Sequence, residues 1–575
     1  FSNGKYAGNA TFLESITPLP IVGNIVHEVI DLGGFSRQRL KSHRYNYLRT
    51  VISSLVQDNE RVTIVSGHEE SLQYLASDNI RQIISGSLGS RTGTRMSKGT
   101  IANIGGSLDF DGKFTYGEKG FAIIHFYEDG TSDVKFVTED DTFSFELNDK
   151  FPEIEEEYPI PTFSEPTKTL AITTDKDKLD KSGFYKFIWG ERYRSYFGKP
   201  VTADIGILDT LYSGIKITKQ GGGHQSFSAR LEDEVGREYA MRGLQKDALK
   251  FLRFKVPGIA YVEEDFKGTF VETMIYDFFS TTHPYMQLVI DPLAKSAGIN
   301  HANTQLYYLP KQPGFKMLGD DYGDQLYFIE ERQMDKQKDF EGYNRANPKE
   351  KGEAVNFEST TDVLEKLNED EKYTIDQRAY IRARLFDMLI GDWDRHEDQW
   401  RWIEYEISDD DIRFIPIPRD RDAAFSKFDG VAIPIIKMLM PDVRFWQSYD
   451  TDIKNVKWFN GEGNNLDVAF LNKHDASVWV EEAKIIQSGM TDEVIDQAFQ
   501  RLPTEVQDET SEDIKNKLKG RLKNLDAIAK RYGDRMQQIV VIHGTNKDDK
   551  IEITRLPQGK TKVVLKRLKT DAPNP

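Results

Sequence analysis

Cysteine is absent from this chain of 575 residues. Its absence excludes disulfide bonds, thiolate zinc sites and a cysteine nucleophile, and it leaves the cellular compartment open. Long apolar runs are missing as well. The longest candidate, Gly430–Met440, is interrupted by Pro434 and is shorter than the roughly 20 residues of a membrane-spanning helix. The sequence therefore predicts no transmembrane helix.

Positive charge is in deficit, with 76 Lys and Arg against 93 Asp and Glu and a net charge of -17. A polyphosphate backbone repels such a chain, so we expect no nucleic-acid partner. Apolar residues make up 38% of the chain, with 34 Phe and 25 Tyr, which suffices for several buried cores. At this length we expect about three or four domains.

Composition divides the chain into successive predicted segments. Residues 1–150 combine short apolar strands with glycine-rich turns, which is typical of α/β or layered β structure. Four Pro and five Glu between Phe151 and Pro166 prevent a continuous helix or a central strand, so we place a linker and connecting segment at 151–205. Strands dominate 206–335, with one helix predicted near 271–298. Helices dominate 336–535.

The end of the chain combines one long helix with short strands. Apolar residues recur every three or four positions from Ile514 to Tyr532, which predicts a helix that ends at Gly533. We expect residues 536–575 to begin a β module, because short strands need further partners to form a core. Three successive strands are predicted there: Gln538–His543, Lys550–Thr554 and Lys562–Leu565.

A predicted strand, Val62–Val65, runs into a tight turn that carries His68 and Glu70. An imidazole and a carboxylate at a sheet edge can form one corner of a metal site, although a lone histidine in a turn is more often structural. Four stretches around this turn are similar to one family: Ser2–Asn9, Pro18–Gly23, Val65–Tyr74 and Ile83–Ser87.

These stretches resemble the C-terminal third of calcineurin-like metallophosphoesterases. The resemblance is closest to a bacterial outer-membrane group in which further periplasmic domains and a barrel follow. It implies a partial layered sandwich over 1–150 and a two-metal centre that activates hydroxide against phosphorus. By resemblance His68 and Glu70 are metal candidates, with Glu70 standing where a second histidine is expected. Because the other ligand motifs would precede Phe1, we expect a longer polypeptide and an incomplete centre here.

Two later strands are joined by three consecutive glycines, Gly221, Gly222 and Gly223. Such glycines let backbone N–H groups approach an anion closely, although the same pattern is typical of a plain hairpin turn. The next predicted strand carries Arg242, followed by Lys246, where a kinase keeps the lysine that pairs with nucleotide phosphates. We therefore count both cations and the glycines as candidate nucleotide ligands.

The most informative pattern lies further on. Tyr380–Ile390 predicts a helix that runs into a polar loop, and a predicted hairpin then leads to a second polar loop. In the two loops Asp394, Gln399 and Asp420 have the spacing of a carboxylate that orients a hydroxyl and two groups that hold a metal. The alternative is that the loop carboxylates Asp392, Asp394, Asp420 and Asp422 simply pair with Arg395, Arg419 and Arg421.

Gly391–His396, a hairpin and Pro418–Phe425 together resemble the atypical kinases of spore coats, the secretory pathway and bacterial toxin modules. The resemblance implies a two-lobed kinase-like domain over 206–535, with lobes at 206–335 and 336–535. It makes Asp394 the catalytic-loop aspartate.

The same resemblance makes Asp420 the metal-binding aspartate, supported by Asp422, and places Gln399 where an asparagine is usual. It places Arg242 where a lysine is usual. We assign Glu272 as the partner of Arg242.

Three functions stay open. In the first, the chain is the periplasmic region of a bacterial outer-membrane protein, with a truncated phosphoesterase domain and a kinase-like domain that binds nucleotide or metal in a regulatory or assembly role. In the second, it is an active phosphotransferase or phosphoesterase that uses Mg or Mn, with ATP as the nucleotide. In the third, it is a non-enzymatic scaffold of an outer-membrane complex. A β-barrel, in the same or another chain, is the partner that the resemblance implies.

Overall fold

The computed structural model describes residues 61–67, 71–77, 80–89, 100–103, 109–150, 160–221, 225–255, 268–316, 318–333, 356–471, 473–538 and 540–568, with Ile52 and Val56. These residues form a mixed α/β structure with several sheets, in line with the multidomain prediction. The chain divides into two compact units, one of 1–157 with 247–275 and one of 158–246 with 276–575.

Strands β1 to β21 lie at Val62–Ser66, Leu72–Ala76, Ile80–Ser85, Thr100–Asn103, Asp109–Tyr116, Gly120–Phe126, Ser132–Thr138, Thr142–Asn148, Thr167–Leu170, Val201–Ile205, Ile215–Gln220, Ser226–Asp233, Glu238–Lys246, Gln305–Leu309, Gln325–Glu331, Asn356–Glu358, Tyr373–Ile375, Trp400–Ser408, Asp411–Pro418, Asp549–Arg555 and Thr561–Arg567.

Helices α1 to α15 lie at Lys176–Leu179, Gly183–Trp189, Arg194–Phe197, Ala248–Lys255, Phe270–Phe279, Gln287–Ser296, Thr360–Glu369, Gln377–Ile390, Ala432–Leu439, Val456–Phe459, Asn464–Phe470, Ala476–Gly489, Asp492–Phe499, Glu509–Lys523 and Leu525–Met536. No helix among the described residues is long and apolar enough to cross a bilayer.

The first unit contains two sheets that share a core. A five-stranded sheet has the order β1-β3-β2-β5-β4, with β1 and β3 parallel, and a three-stranded antiparallel sheet has the order β6-β7-β8. Leu72 and Phe114 of the first sheet pack with Val134 and Phe136 of the second. In β7 the inward residues alternate with outward ones, as a strand with one buried face requires. The layered structure predicted for this part of the chain is present in these residues.

The second unit is built on a seven-stranded sheet with the order β11-β12-β13-β15-β14-β10-β9. Strand β13 lies inside this sheet, antiparallel to β12 on one side and to β15 on the other. Arg242 stands opposite Ser228 of β12 and Phe328 of β15. Because both edges of β13 are hydrogen-bonded, its side chains are held in fixed positions on the sheet.

Helix α8 and the β18–β19 hairpin position the two polar loops. Helix α8 begins after Asp376, whose side chain accepts from the backbone N–H of Ala379, and ends at Gly391 in the left-handed conformation that glycine favours. In the hairpin Trp400 pairs with Pro418. The loop before β18 and the loop after β19 therefore emerge at the same end of the hairpin.

Two predicted helices are interrupted. The helix expected near 271–298 is two helices, α5 and α6, separated by a segment that contains Pro284, which lacks the N–H that a continuous helix needs. The helix expected to end at Gly533 breaks at Asn524 into α14 and α15. Gly533 lies inside α15, where an added Cβ would lie 2.9 Å from Ala476 Cα, so this glycine permits close packing rather than ending the helix.

The strands predicted at the end of the chain are confirmed for two segments. Strands β20 and β21 pair as an antiparallel hairpin. Within Gln538–His543 the described residues are not in a strand. A strand requires a hydrogen-bonded neighbour, and the hairpin sheet described here consists of β20 and β21.

Candidate functional site

Arg242 of β13 bridges two carboxylates. Its Nη1 atom lies 2.8 Å from Asp420 Oδ1, and its Nη2 atom lies 3.2 Å from Glu330 Oε1 on the neighbouring strand β15. Asp420 and Glu330 together raise the pKa of the Arg242 guanidinium. Burial raises the pKa of Glu330, and the charge of Arg242 opposes that shift. A single guanidinium thus joins the sheet to the loop that follows β19.

Lys246 makes a second connection to the same loop. Its Nζ atom lies 3.1 Å from Asp422 Oδ2 and 3.4 Å from Gln225 Oε1. Lys246 comes four residues after Arg242 on β13, and Asp422 comes two residues after Asp420 in the loop. The first cation thus pairs with the first carboxylate and the second cation with the second. Two cations of the sheet therefore face two carboxylates of the loop.

Asp420 has a backbone φ of +50°, in the left-handed region. Residues other than glycine rarely adopt this conformation, although aspartate does so more readily than most, and such positions cluster at functional sites. Burial alone would raise the pKa of the Asp420 carboxyl, but the positive charges of Arg242, Lys246 and Arg419 hold it below its usual value. Asp420 is therefore a carboxylate at neutral pH.

Asp394 stands in the loop before β18. Burial raises the pKa of its carboxyl to about 6, His396 opposes this shift, and the carboxylates of Asp422, Glu462 and Asp420 add to it. Asp420 and Asp422 are thus near enough to Asp394 to influence its pKa. A carboxyl that titrates close to neutral pH suits proton transfer.

Two buried arginines, Arg395 and Arg421, connect the loops to helix α8. Arg395 contacts Asp387 of α8 at 3.2 Å and Asp392 at 3.1 Å, and it donates to the backbone oxygens of Gln399 and Arg419. Arg421 lies 3.2 Å from the other oxygen of Asp387. Burial raises the pKa of Asp392 well above its ordinary value, while Arg395 opposes the shift. The loops are thus tied to one helix through a shared carboxylate.

Gln399 is buried, and its side-chain nitrogen lies 3.2 Å from Nε2 of His396. Its backbone oxygen accepts from the N–H of Arg419. Asp420 and Asp422 are each engaged by a cation, and no group of three or more acidic or histidine side chains in the described part of the chain is arranged as a metal site. Arg242 engages the Oδ1 atom of Asp420, and metal binding by Gln399, Asp420 and Asp422 stays a prediction.

The glycine segment joins two antiparallel strands, β11 and β12. Gly221 donates its N–H to the oxygen of Ser228 at 2.8 Å, and an added Cβ would lie 2.3 Å from Ser228 Oγ. Close approach of the two strands thus requires glycine at this position. Gly222 and Gly223 lie outside the described residues, as do His68 and Glu70 of the predicted phosphoesterase corner.

The pairing of Arg242 with Glu272 stays a prediction. Glu272 belongs to the first unit, where its carboxylate accepts from the N–H of Gly268 at 2.6 Å. Within the second unit, strand pairing of β13 with β15 brings Glu330 beside the guanidinium of Arg242.

Sequence reasoning also missed Asp387. It is a charged residue within the apolar stretch of a helix, and a buried charge needs a partner, so its position was a usable signal. The alternative that the loop carboxylates pair with nearby arginines holds for Asp392 and Arg395. Asp420 and Asp422 pair instead with cations of β13.

Comparisons with known proteins give only distant structural matches. No family model matches this chain, and no curated protein matches it. A crystal structure of the Helicobacter pylori proinflammatory kinase CtkA matches with a TM-score of 0.29 and 13% identity, covering 57% of this chain and 97% of that one. The Shewanella oneidensis MR-1 toxin–antitoxin protein HipA, in its complex with HipB and operator DNA, matches with a TM-score of 0.24 and 12% identity, covering 56% and 68%. Scores this low do not assign a family.

Proposed function

We propose that residues 206–535 form a kinase-like domain that binds a nucleoside triphosphate with Mg or Mn. The observation that carries the proposal is the pairing of Arg242 and Lys246 with Asp420 and Asp422. Cations from a sheet and carboxylates from a loop are the two kinds of group that hold phosphates and their metal ion. Without a ligand these groups neutralise each other.

Binding of a metal–nucleotide complex would exchange partners within this set. The triphosphate would take Arg242 and Lys246, and the metal would take the carboxylates that they release. After such an exchange the cations would pair with phosphate oxygens and the carboxylates with the metal, so neither set of charges would be left unpaired. In this proposal the exchange is the first step of binding.

Asp394 would orient the hydroxyl group of an acceptor, if transfer occurs. Its pKa of about 6 allows it to accept a proton at neutral pH. Arg242 and Gln399 stand where the resemblance expects lysine and asparagine, and guanidinium and ammonium groups are not interchangeable at a phosphate. Binding with little or no turnover in a regulatory or assembly role is therefore our primary proposal, and phosphotransfer is the second.

Titration calorimetry with Mn-ATP tests the proposal. We expect binding heat and a raised melting temperature for the wild type, weakened metal-dependent binding for Asp420→Asn, and intact binding for Asp394→Asn. Asp409→Asn, in the turn at the other end of the same hairpin, is the matched control and should bind as the wild type does. Absence of both heat and thermal shift in the wild type would refute nucleotide binding. Phosphotransfer that survives Asp394→Asn would refute the role of that residue.

We also propose, from the sequence resemblance, that residues 1–150 are the tail of a phosphoesterase domain on the periplasmic side of an outer membrane. This proposal rests on the resemblance of the four stretches around His68 and Glu70. Fractionation of cells that make the native protein tests the location. A native product larger than this chain in the membrane fraction would support it, and a product of this size in the soluble fraction would contradict it.

A further inference from the structure

Helix α9, Ala432–Leu439, presents an apolar face to solvent. Ile433 is its buried residue, whereas Ile435, Met438 and Leu439 are exposed, the last two at 70% each. Met440, directly after the helix, is also exposed. Large apolar side chains that are exposed together mark interaction surfaces, while scattered ones do not.

A second helix extends this face. On α2, Phe184 is 75% exposed and Phe187 is also largely exposed. The backbone N–H of Val431, at the start of α9, donates to the oxygen of Phe187 at 3.2 Å. The start of α9 is therefore bound to α2, and we call the exposed apolar residues of these two helices the α2–α9 face.

Basic side chains lie beside the α2–α9 face. Arg444 donates to the backbone oxygen of Lys437 at 3.1 Å, and Arg444 and Lys457 both lie over the ring of Trp458, within 5 Å of its centroid. Burial and the charge of nearby Lys454 lower the pKa of Lys437. Four cations and an aromatic ring thus cluster at one end of the helix.

Lys437, Arg444, Lys454 and Lys457 are in none of the ion pairs found between described side chains, and the nearby Asp452 pairs with Arg531. Lys186 and Lys427, near the other end of the face, pair with Glu191 and Asp429. The cluster is a local excess of positive charge in a chain whose net charge is -17.

We propose that the α2–α9 face docks on an anionic lipid bilayer. Methionine, leucine and phenylalanine side chains would enter the headgroup region, Trp458 would lie at the interface, and the four cations would contact lipid phosphates. Helices that lie in the membrane interface combine these same features. Their affinity for a bilayer increases with the apolar area that they bury and with their electrostatic attraction to anionic lipids. The positive cluster favours an anionic surface over a neutral one. This docking does not depend on nucleotide binding in the second unit.

Vesicle flotation with the full chain tests the proposal. We expect the protein to float with phosphatidylcholine vesicles that contain phosphatidylglycerol, to float less with phosphatidylcholine alone, and to be released by high salt. Lys454→Gln combined with Lys457→Gln should weaken binding by roughly fivefold per lysine. The double variant Met438→Ser/Leu439→Ser should lose binding to both kinds of vesicle.

The control replaces equally exposed apolar residues elsewhere. In the hairpin strand β20, Ile553 is 67% exposed and Ile551 is also exposed, so Ile551→Ser/Ile553→Ser matches the test variant in chemistry and exposure. Unchanged melting temperatures would show that both double variants fold. The proposal is refuted if the folded wild type does not bind anionic vesicles, or if both double variants bind equally. It is also refuted if the wild type is a dimer that does not bind vesicles and Met438→Ser/Leu439→Ser dissociates that dimer. A second copy of the chain would then be what covers the face.

Discussion

At the scale of single residues, the carboxyl groups of the site differ in what surrounds them. Asp420 is stabilised as an anion by four nearby cations, whereas burial and other carboxylates raise the pKa of Asp394 to about 6. Spacing in the sequence marked both residues as candidates, and the resemblance to atypical kinases gave them roles that stay predictions. Spacing could not assign their pKa values, because those depend on groups from β13 and on burial.

The raised pKa of Asp394 predicts a specific pH dependence. Between its ordinary pKa of 3.8 and about 6, the folded chain retains a proton that the unfolded chain has lost, so the free energy of unfolding falls as the pH rises through this range. The Asp394→Asn variant has no carboxyl group at this position, so its free energy of unfolding should not fall in this way. We expect the variant to be more stable than the wild type by about 3 kcal/mol at pH 8, with little difference near pH 4.

Urea denaturation across this pH range is the measurement. The Asp409→Asn variant, at an exposed turn, should follow the wild-type curve. A difference between Asp394→Asn and the wild type that does not change with pH would contradict the assignment.

Removal of the guanidinium at position 242 is a second test. Arg242→Met leaves Glu330 and Asp420 without their common partner, and we expect a loss of about 2 kcal/mol in the free energy of unfolding. Adding Glu330→Gln should restore part of the lost stability, because Glu330 is the more buried of the two carboxylates and the substitution makes it neutral. Chemical denaturation of the two variants measures both effects. Equal stability of Arg242→Met and the wild type would show that the bridge contributes nothing.

At the scale of elements, a buried carboxylate joins three helices. Asp467 of α11 accepts from Tyr380 Oη at 2.9 Å and from Arg384 Nε at 2.8 Å on α8, and from Tyr532 Oη at 2.5 Å on α15. Asp467, Arg384 and both tyrosines are almost fully buried. The network therefore fixes how these helices pack.

We expect Asp467→Ala to lower the free energy of unfolding by about 3–5 kcal/mol, because it removes the nearer of the two carboxylates that pair with the buried Arg384 guanidinium and leaves only Asp387, at 3.4 Å. Tyr532→Phe removes one hydrogen bond and should cost only about 1 kcal/mol. Thermal and urea denaturation measure both changes. Similar losses in the two variants would mean that the charge of Asp467 is not what stabilises the network.

Sequence periodicity predicted elements better than it predicted their ends. The helix over Tyr380–Ile390 and the following hairpin are present as α8, β18 and β19. The break at Asn524 was missed because the apolar spacing continues across it, with Leu522 and Leu525 both buried. Glu330 was missed for a related reason: strand register, which local sequence does not encode, decides which side chain faces Arg242.

At the scale of the whole molecule, the two units have separate cores. Leu72 and Phe136 belong to a core of the first unit, and Tyr380 and Trp479 to one of the second. Residues 247–275 belong to the same unit as 1–157. The sequence did not predict this, because composition shows no boundary there.

Separate cores predict more than one cooperative unfolding transition in calorimetry. Asp467→Ala should lower the transition of the second unit alone. Arg81→Ala should lower that of the first, because Arg81 donates to the backbone oxygens of Leu147 and Ser77. A single transition that both variants shift equally would contradict this prediction.

The order of translation adds a consequence to the pairing of β13 with β15. Strand β13 ends at Lys246, and its partner does not leave the ribosome until Glu331 has been made. During that interval the nascent chain carries β11, β12 and β13 with one edge of β13 unpaired, and such edges attract other chains. A chaperone that holds nascent chains is expected to act here, and slowing translation between these two strands should increase aggregation of the newly made protein.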